Sequence, residues 1–161
     1  MVDEALAASS VAPADLETIG VTTGPGSFTG ARLGVSFARG LALATEANAV
    51  GISVFQALAD SYRETGEVLV VLNGGRGDIF GQTFCACEPT CEPFVLESVE
   101  GWRDWPIVGS AVTASLDVSA VSLDPVLVAR RAATAGPSPA LPTPLYLRAP
   151  DAKPQAIAPA A

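Results

Sequence analysis

A chain of 161 residues, 49% of them hydrophobic, can bury one sizeable core, so one compact domain or two thin lobes are expected. The formal net charge of −8, from 9 basic and 17 acidic residues, excludes an extended phosphate-binding surface, which needs clustered Lys and Arg. The chain has no histidine, which removes Ser-His-Asp triads, Cys-His pairs and HExxH zinc sites.

From the N-terminus, Val2 to Ala8 reads as a short helical turn, Pro13 to Asp15 as a new start, and Thr18 to Thr22 as a strand. A helix is expected from Thr29 to about Glu46, with Ser27 or Thr29 as its cap, and then a strand from Ala49 to Ser53. Strand, helix and strand in that order form a βαβ unit, hence a parallel pair with a right-handed crossover. The stretch "SVFQALADSYRETG" is expected to be a helix capped by Ser53 and ended at Gly66, burying Phe55, Leu58 and Tyr62. Two apolar runs flank Asn73 to Asp78, a hairpin with a glycine-rich loop. "PIVGS" is a short strand, and Asp124, Pro125 and Gly136 punctuate a further helix. The proline-rich remainder reads as an extended segment anchored by Leu145, Tyr146 and Leu147, followed by a disordered tail. No apolar run reaches the ~18 residues of a membrane span and no secretory signal opens the chain, so a cytoplasmic location is expected.

The segment "GVTTGPGSFTGARLGVSFARGLALA" carries the most information. Its glycines at 24, 26 and 30 miss the Rossmann fingerprint by one position, and Gly30-Ala31-Arg32 is not the Gly-Lys-Ser/Thr of a P-loop. An anion contact at Gly24, Gly26, Ser27 and Thr29 stays open, because a helix start offers unpaired N–H groups; a turn built only for its shape is the alternative. In the helix, Gly30, Gly34 and Ala38 form a small-residue strip. Leu33, Phe37, Leu41 and Ala44 form a large apolar one, and Arg32, Ser36 and Arg39 a polar one. One apolar side suits its own sheet, and a second suits another helix.

These residues, with "AVGISVFQALA" after them and "PLYLRAPDAKP" near the end, resemble the TsaB family, part of the glycoprotease-like (peptidase M22) branch of the actin/Hsp70/sugar-kinase superfold. The resemblance implies an α/β fold with ribonuclease H-like lobes. On that reading residues 1–53 are the remnant of an N-terminal lobe, 54–148 a C-terminal lobe and 149–161 a disordered tail. Family members begin with a strand bearing an Asp-Thr-Ser motif, two more strands and a helix, roughly 40 residues of which only the helix tail is matched here. Met1 is therefore expected to be an internal methionine, or the chain to be shortened. The family has Asp where Asn73 stands. The resemblance further implies a non-catalytic subunit for threonylcarbamoyl transfer to tRNA adenosine. That subunit pairs with a TsaD-like catalytic protein, meets a TsaE-like ATPase through that complex and touches tRNA only indirectly, with no membrane and no cofactor of its own. Gly30, Leu33, Gly34, Phe37, Ala38 and Leu41 are then the partner-binding residues, and a homodimer could use the same helix.

Two rival readings remain from the residues. A metal- or ATP-dependent enzyme of the same superfold, including a glycoprotease-type peptidase, lacks histidine and a nucleophile-base pair. A metal site at "CACEPTC" would place Cys85 and Cys87 on one strand face, with Cys91 returning after Pro89 and Glu88 or Glu92 as a fourth ligand. The bland readings are a reducing compartment with incidental thiols, Trp102 and Trp105 covering a core edge, Arg76 and Asp78 as solvated loop charges, and Arg148 tying the last segment to the core.

Overall fold

The computed structural model describes residues 2–62, 66–98, 100–110, 118–136 and 140–148. In chain order they form α1 (Val2–Ser9), a 3-10 turn (Pro13–Asp15), β1 (Thr18–Thr22), α2 (Phe28–Thr45), β2 (Asn48–Ile52) and α3 (Val54–Tyr62). Then come β3 (Glu67–Gly75), β4 (Asp78–Cys85), β5 (Glu88–Pro89), β6 (Phe94–Val95), a second 3-10 turn (Glu100–Trp102), β7 (Ile107–Gly109), β8 (Ser119–Ala120) and α4 (Pro125–Thr134). The expected end of α3 near Gly66 and the expected tail lie partly or wholly outside the described residues.

The βαβ reading holds: β1 and β2 pair in parallel, Thr18 opposite Asn48 and Thr22 opposite Ile52, with α2 as the crossover. The other sheet has six strands in the order β5-β4-β3-β7-β8, with β6 also on β4. Its centre is β3, antiparallel to β4 and parallel to β7. The uninterrupted apolar run Val68 to Leu72 marks a strand covered on both faces. Val68, Val70 and Leu72 pack with Phe55 and Leu58 of α3 and with Phe84. Leu69 and Val71 pack with Ile107 beneath Phe94, Trp102 and Trp105. The two tryptophans meet edge-on with centroids 5.2 Å apart, so they seal a core edge.

Local chemistry sets the element ends. Of the two capping candidates for α2 it is Ser27 whose Oγ accepts from the Gly30 N–H at 3.1 Å. Ser53 accepts from Gln56 N at 3.0 Å and Asp124 from Val126 N at 2.8 Å. The first hairpin is tighter than the glycines suggest, because pairing continues to Gly75 opposite Asp78 and leaves only Arg76-Gly77, both at positive φ, as a two-residue turn. Asn73 Oδ1 accepts from Gly75 N at 2.8 Å and sets the bulge there.

The strand pair β1–β2 is covered on one side by α2 and on the other by α4, which arrives from the far end of the chain. Val128 and Ala132 of α4 join Val50, Ile52 and Ala57 in one cluster. A Cβ on Gly20 would lie 2.9 Å from that of Ala132, so glycine permits this close approach. Arg131, on the same helix, bonds Asp60 of α3 at 2.7 Å, Glu88 at 2.9 Å and the Cys87 carbonyl at 2.9 Å. It thereby clasps two helices and the β4–β5 hairpin. Arg131→Met is expected to cost about 2 kcal/mol, because it leaves the Asp60 carboxylate, 12% exposed, without its main partner. The check is the urea midpoint at unchanged m; a loss below about 0.5 kcal/mol would make the clasp dispensable.

Candidate functional site

The glycine turn lies where three segments meet. Thr23 N donates to Ile52 O at 2.9 Å, Leu145 N donates to Thr23 O at 2.8 Å, and Val54 N donates to Gly24 O at 2.7 Å. Gly24 has φ +105°, and a Cβ there would stand 3.3 Å from the Leu145 carbonyl. Thr23, Gly24 and Pro25 are buried, the Gly24–Pro25 bond being cis. Of the residues expected at an anion contact, Gly24 is thus inside the fold, while Gly26, Ser27 and Thr29 are exposed. The Gly30 and Ala31 N–H groups are taken by the Ser27 hydroxyl and carbonyl.

Helix α2 divides sharply. Val35, Ala38 and Ala42 are buried, and Ala38 at 3% exposure belongs to the inward face, so it is not available to a partner. Gly34 and Leu41 are half-buried, with Gly34 turned to Val21 of β1. The small-residue strip therefore lies mostly against the helix's own strands, the reverse of the expected use. Gly30 is exposed, and a side chain there would collide with the capping hydroxyl of Ser27. The large strip is what solvent sees: Leu33 is 69% and Phe37 55% exposed, and Ala44 is exposed. Leu43, 84% exposed, and Phe28 complete the surface. Leu43 continues the series 32, 36, 39, 43 at helical spacing, a signal readable in the sequence that the polar neighbours mask.

The N-terminal end of this face is joined by a residue from 114 positions away. Arg32 Nε donates to the Tyr146 hydroxyl at 2.7 Å. Its guanidinium carbon sits 3.9 Å above the Phe28 ring, and the Phe28 and Tyr146 rings are 5.3 Å apart. Tyr146 is therefore exposed rather than a core anchor; Leu147 alone of the expected trio reaches the main core cluster. Arg148 pairs with Asp78 at 3.2 Å, so Asp78 is not merely a solvated loop charge.

The cysteine geometry contradicts a thiolate cluster. β4 ends at Cys85, and Ala86-Cys87 form a two-residue turn with φ of 50° and 63°, so Cys85 and Cys87 do not share a strand face. Non-glycine residues hold this conformation because Gln56 Nε2 and Arg131 both donate to the Cys87 carbonyl. Cys87 Sγ donates to Ala59 O at 3.6 Å, and Cys91 Sγ accepts from the Thr83 hydroxyl at 3.0 Å. Among the described residues no three His, Cys, Asp or Glu side chains gather as for a metal, and no helix is long and apolar enough to cross a membrane.

The sheets and covering helices define a mixed α/β fold. Two structures from Pseudomonas aeruginosa share it. One is an uncharacterized protein with similarity to peptidase YeaZ, with TM-score 0.73, 22% identity, and 92% of this chain and 81% of that one covered. The other is YeaZ, with TM-score 0.72, 22% identity, and coverage of 91% and 81%. The family model "TsaD: tRNA N6-adenosine threonylcarbamoyltransferase" matches residues 1–99. An uncharacterized protein of Mycobacterium bovis is 32% identical over 164 aligned positions, covering 95% of this chain and 74% of the relative. The TsaB protein of Escherichia coli, named for tRNA threonylcarbamoyladenosine biosynthesis, is 34% identical over 83 residues, half of this chain and 36% of that protein. The chain belongs to the TsaD family.

Two outcomes test the site as built. Gly24→Ala is expected to destabilise by about 1–3 kcal/mol through its φ, whereas Gly26→Ala, with nothing within 4 Å, is expected to stay within about 0.5 kcal/mol; equal thermal midpoints would contradict this. Burial, and then the Asp60 charge, push the Cys87 thiol above its ordinary 9.0. At pH 8 it holds less thiolate than a free thiol, so iodoacetamide should label Cys87 several-fold more slowly than exposed Cys85, read by peptide mass spectrometry.

Proposed function

We propose that this chain is a non-catalytic scaffold subunit for threonylcarbamoyl transfer to adenosine in ANN-decoding tRNAs, and that it activates a TsaD-type catalytic subunit by heterodimerising with it. The observation that carries the reading is the outer face of α2. A helix that buries its small side against its own strands leaves Leu33, Phe37 and Leu43 in water. Exposed apolar side chains of this size are removed from solvent at little cost by a partner helix.

The composition points the same way. With no histidine there is no imidazole to act as general base or hold a catalytic metal, so the chemistry falls to the partner. With a net charge of −8 the chain repels a phosphate backbone, so tRNA contact also falls to the partner. A TsaE-like ATPase would reach this chain only within that complex. Residues 1–53 supply the docking lobe, and residues 54–148 brace it through α3 and α4.

The test is co-expression with the TsaD-type protein of the same source, followed by size-exclusion chromatography with light scattering. A heterodimer is expected. Leu33→Glu with Phe37→Glu should weaken it at least about 30-fold while leaving the thermal midpoint within a few degrees, since both side chains are exposed in the free chain. A folded chain that stays apart from the partner at micromolar concentration would overturn the reading. Gly34→Leu is the poorer probe, because it would press on Val21 of β1.

A further inference from the structure

The outer face of α2 is not only apolar. The helix contains two arginines and no acidic residue, although the whole chain carries −8. Among the described residues neither Arg32 nor Arg39 meets a carboxylate. Arg39 stands seven positions after Arg32, on the same side of the helix. An exposed arginine ordinarily samples many rotamers, and fixing it costs entropy when a partner arrives. Arg32 is already fixed. Phe28 stacks under its guanidinium at 3.9 Å, and the Tyr146 hydroxyl accepts from Nε at 2.7 Å. This leaves the two terminal nitrogens, a planar pair of donors suited to a carboxylate, without a protein partner among the described residues.

Tyr146 is itself held from both sides. Leu145 N donates to Thr23 O at 2.8 Å, Leu147 packs against the core, and Arg148 pairs with Asp78 at 3.2 Å. The segment 140–148 is therefore a strap laid from the β3–β4 hairpin across the glycine turn to the start of α2.

We propose that the surface meeting α2 has an apolar centre rimmed by carboxylates, and that Tyr146 is a positioning residue that presents Arg32 to them. The inference rests on the docking reading above and adds to it the chemistry of the occupant. A second copy of this chain fits less well, because a two-fold pairing of α2 brings arginines against arginines and supplies no acid from the helix itself.

The experiment is calorimetric titration of the chain with the TsaD-type subunit at two salt concentrations. The variants are Tyr146→Phe, Arg32→Gln and the double substitution. Raising salt from 50 to 300 mM should weaken binding at least about threefold. Tyr146→Phe keeps the ring against Phe28 and should weaken binding about fivefold, Arg32→Gln about tenfold, and the double variant no more than Arg32→Gln alone. Hydrogen exchange of the α2 amides should be the same in all four proteins, which separates presentation of Arg32 from loss of fold. Salt-independent affinity, or additive losses, would overturn the inference while leaving the effect of Leu33→Glu and Phe37→Glu intact. Absence of any complex would overturn both. Self-association of the chain alone that Arg32→Gln abolishes would instead assign the arginine to a second copy.

Discussion

Three backbone hydrogen bonds at Thr23 and Gly24 govern where everything else can lie. They join β1 to β2, to the first turn of α3 and to the C-terminal strap within two residues. Because Gly24 is the residue at which the chain leaves the strand, its conformation sets the exit direction of α2, and so decides which side of that helix meets the strands. The apolar outer surface is thus a consequence of the turn as much as of the helix sequence.

Much of the architecture is legible from pattern. Thr18–Thr22 is a strand to the residue, α4 follows its Asp-Pro start, and the parallel pair follows from strand, helix, strand. The misreadings have physical causes. The hairpin at Asn73 looks like a six-residue loop because glycines stand in it, yet glycine in a strand is tolerated where a ring such as Phe80 fills the space over Gly74. The Ala86-Cys87 turn carries no glycine or asparagine, since contacts from Gln56 and Arg131 rather than local propensity hold it. No local rule could find that.

For the site, periodicity separates the strips of α2 but cannot say which faces inward, because small and large apolar residues both bury well. The choice is made by β1: with Gly20 taken up by α4 on one side, α2 lies on its other side with Gly34 facing Val21 and Ala38 buried. Tyr146 is invisible to any reading confined to α2, since the bond to Arg32 joins residues far apart in sequence. The same holds for Arg131, whose position late in a helix suggests only a favourable dipole, whereas its guanidinium spans three elements, with Asp60, rather than the helix end, pushing its pKa upward.

The packing of α4 on β1 also has a consequence in time. During synthesis the strand pair is complete when Ile52 has emerged, but its second face stays bare until Ala132 follows. At about 5–20 residues per second that interval is roughly ten seconds. Until then the side of β1–β2 that α4 covers, with Gly20, Val50 and Ile52, has no helix to pack against. The stretch from β3 to β8 therefore forms its sheet while tethered to a half-covered strand pair, and α4, which follows it in sequence, is the helix that covers the β1–β2 pair.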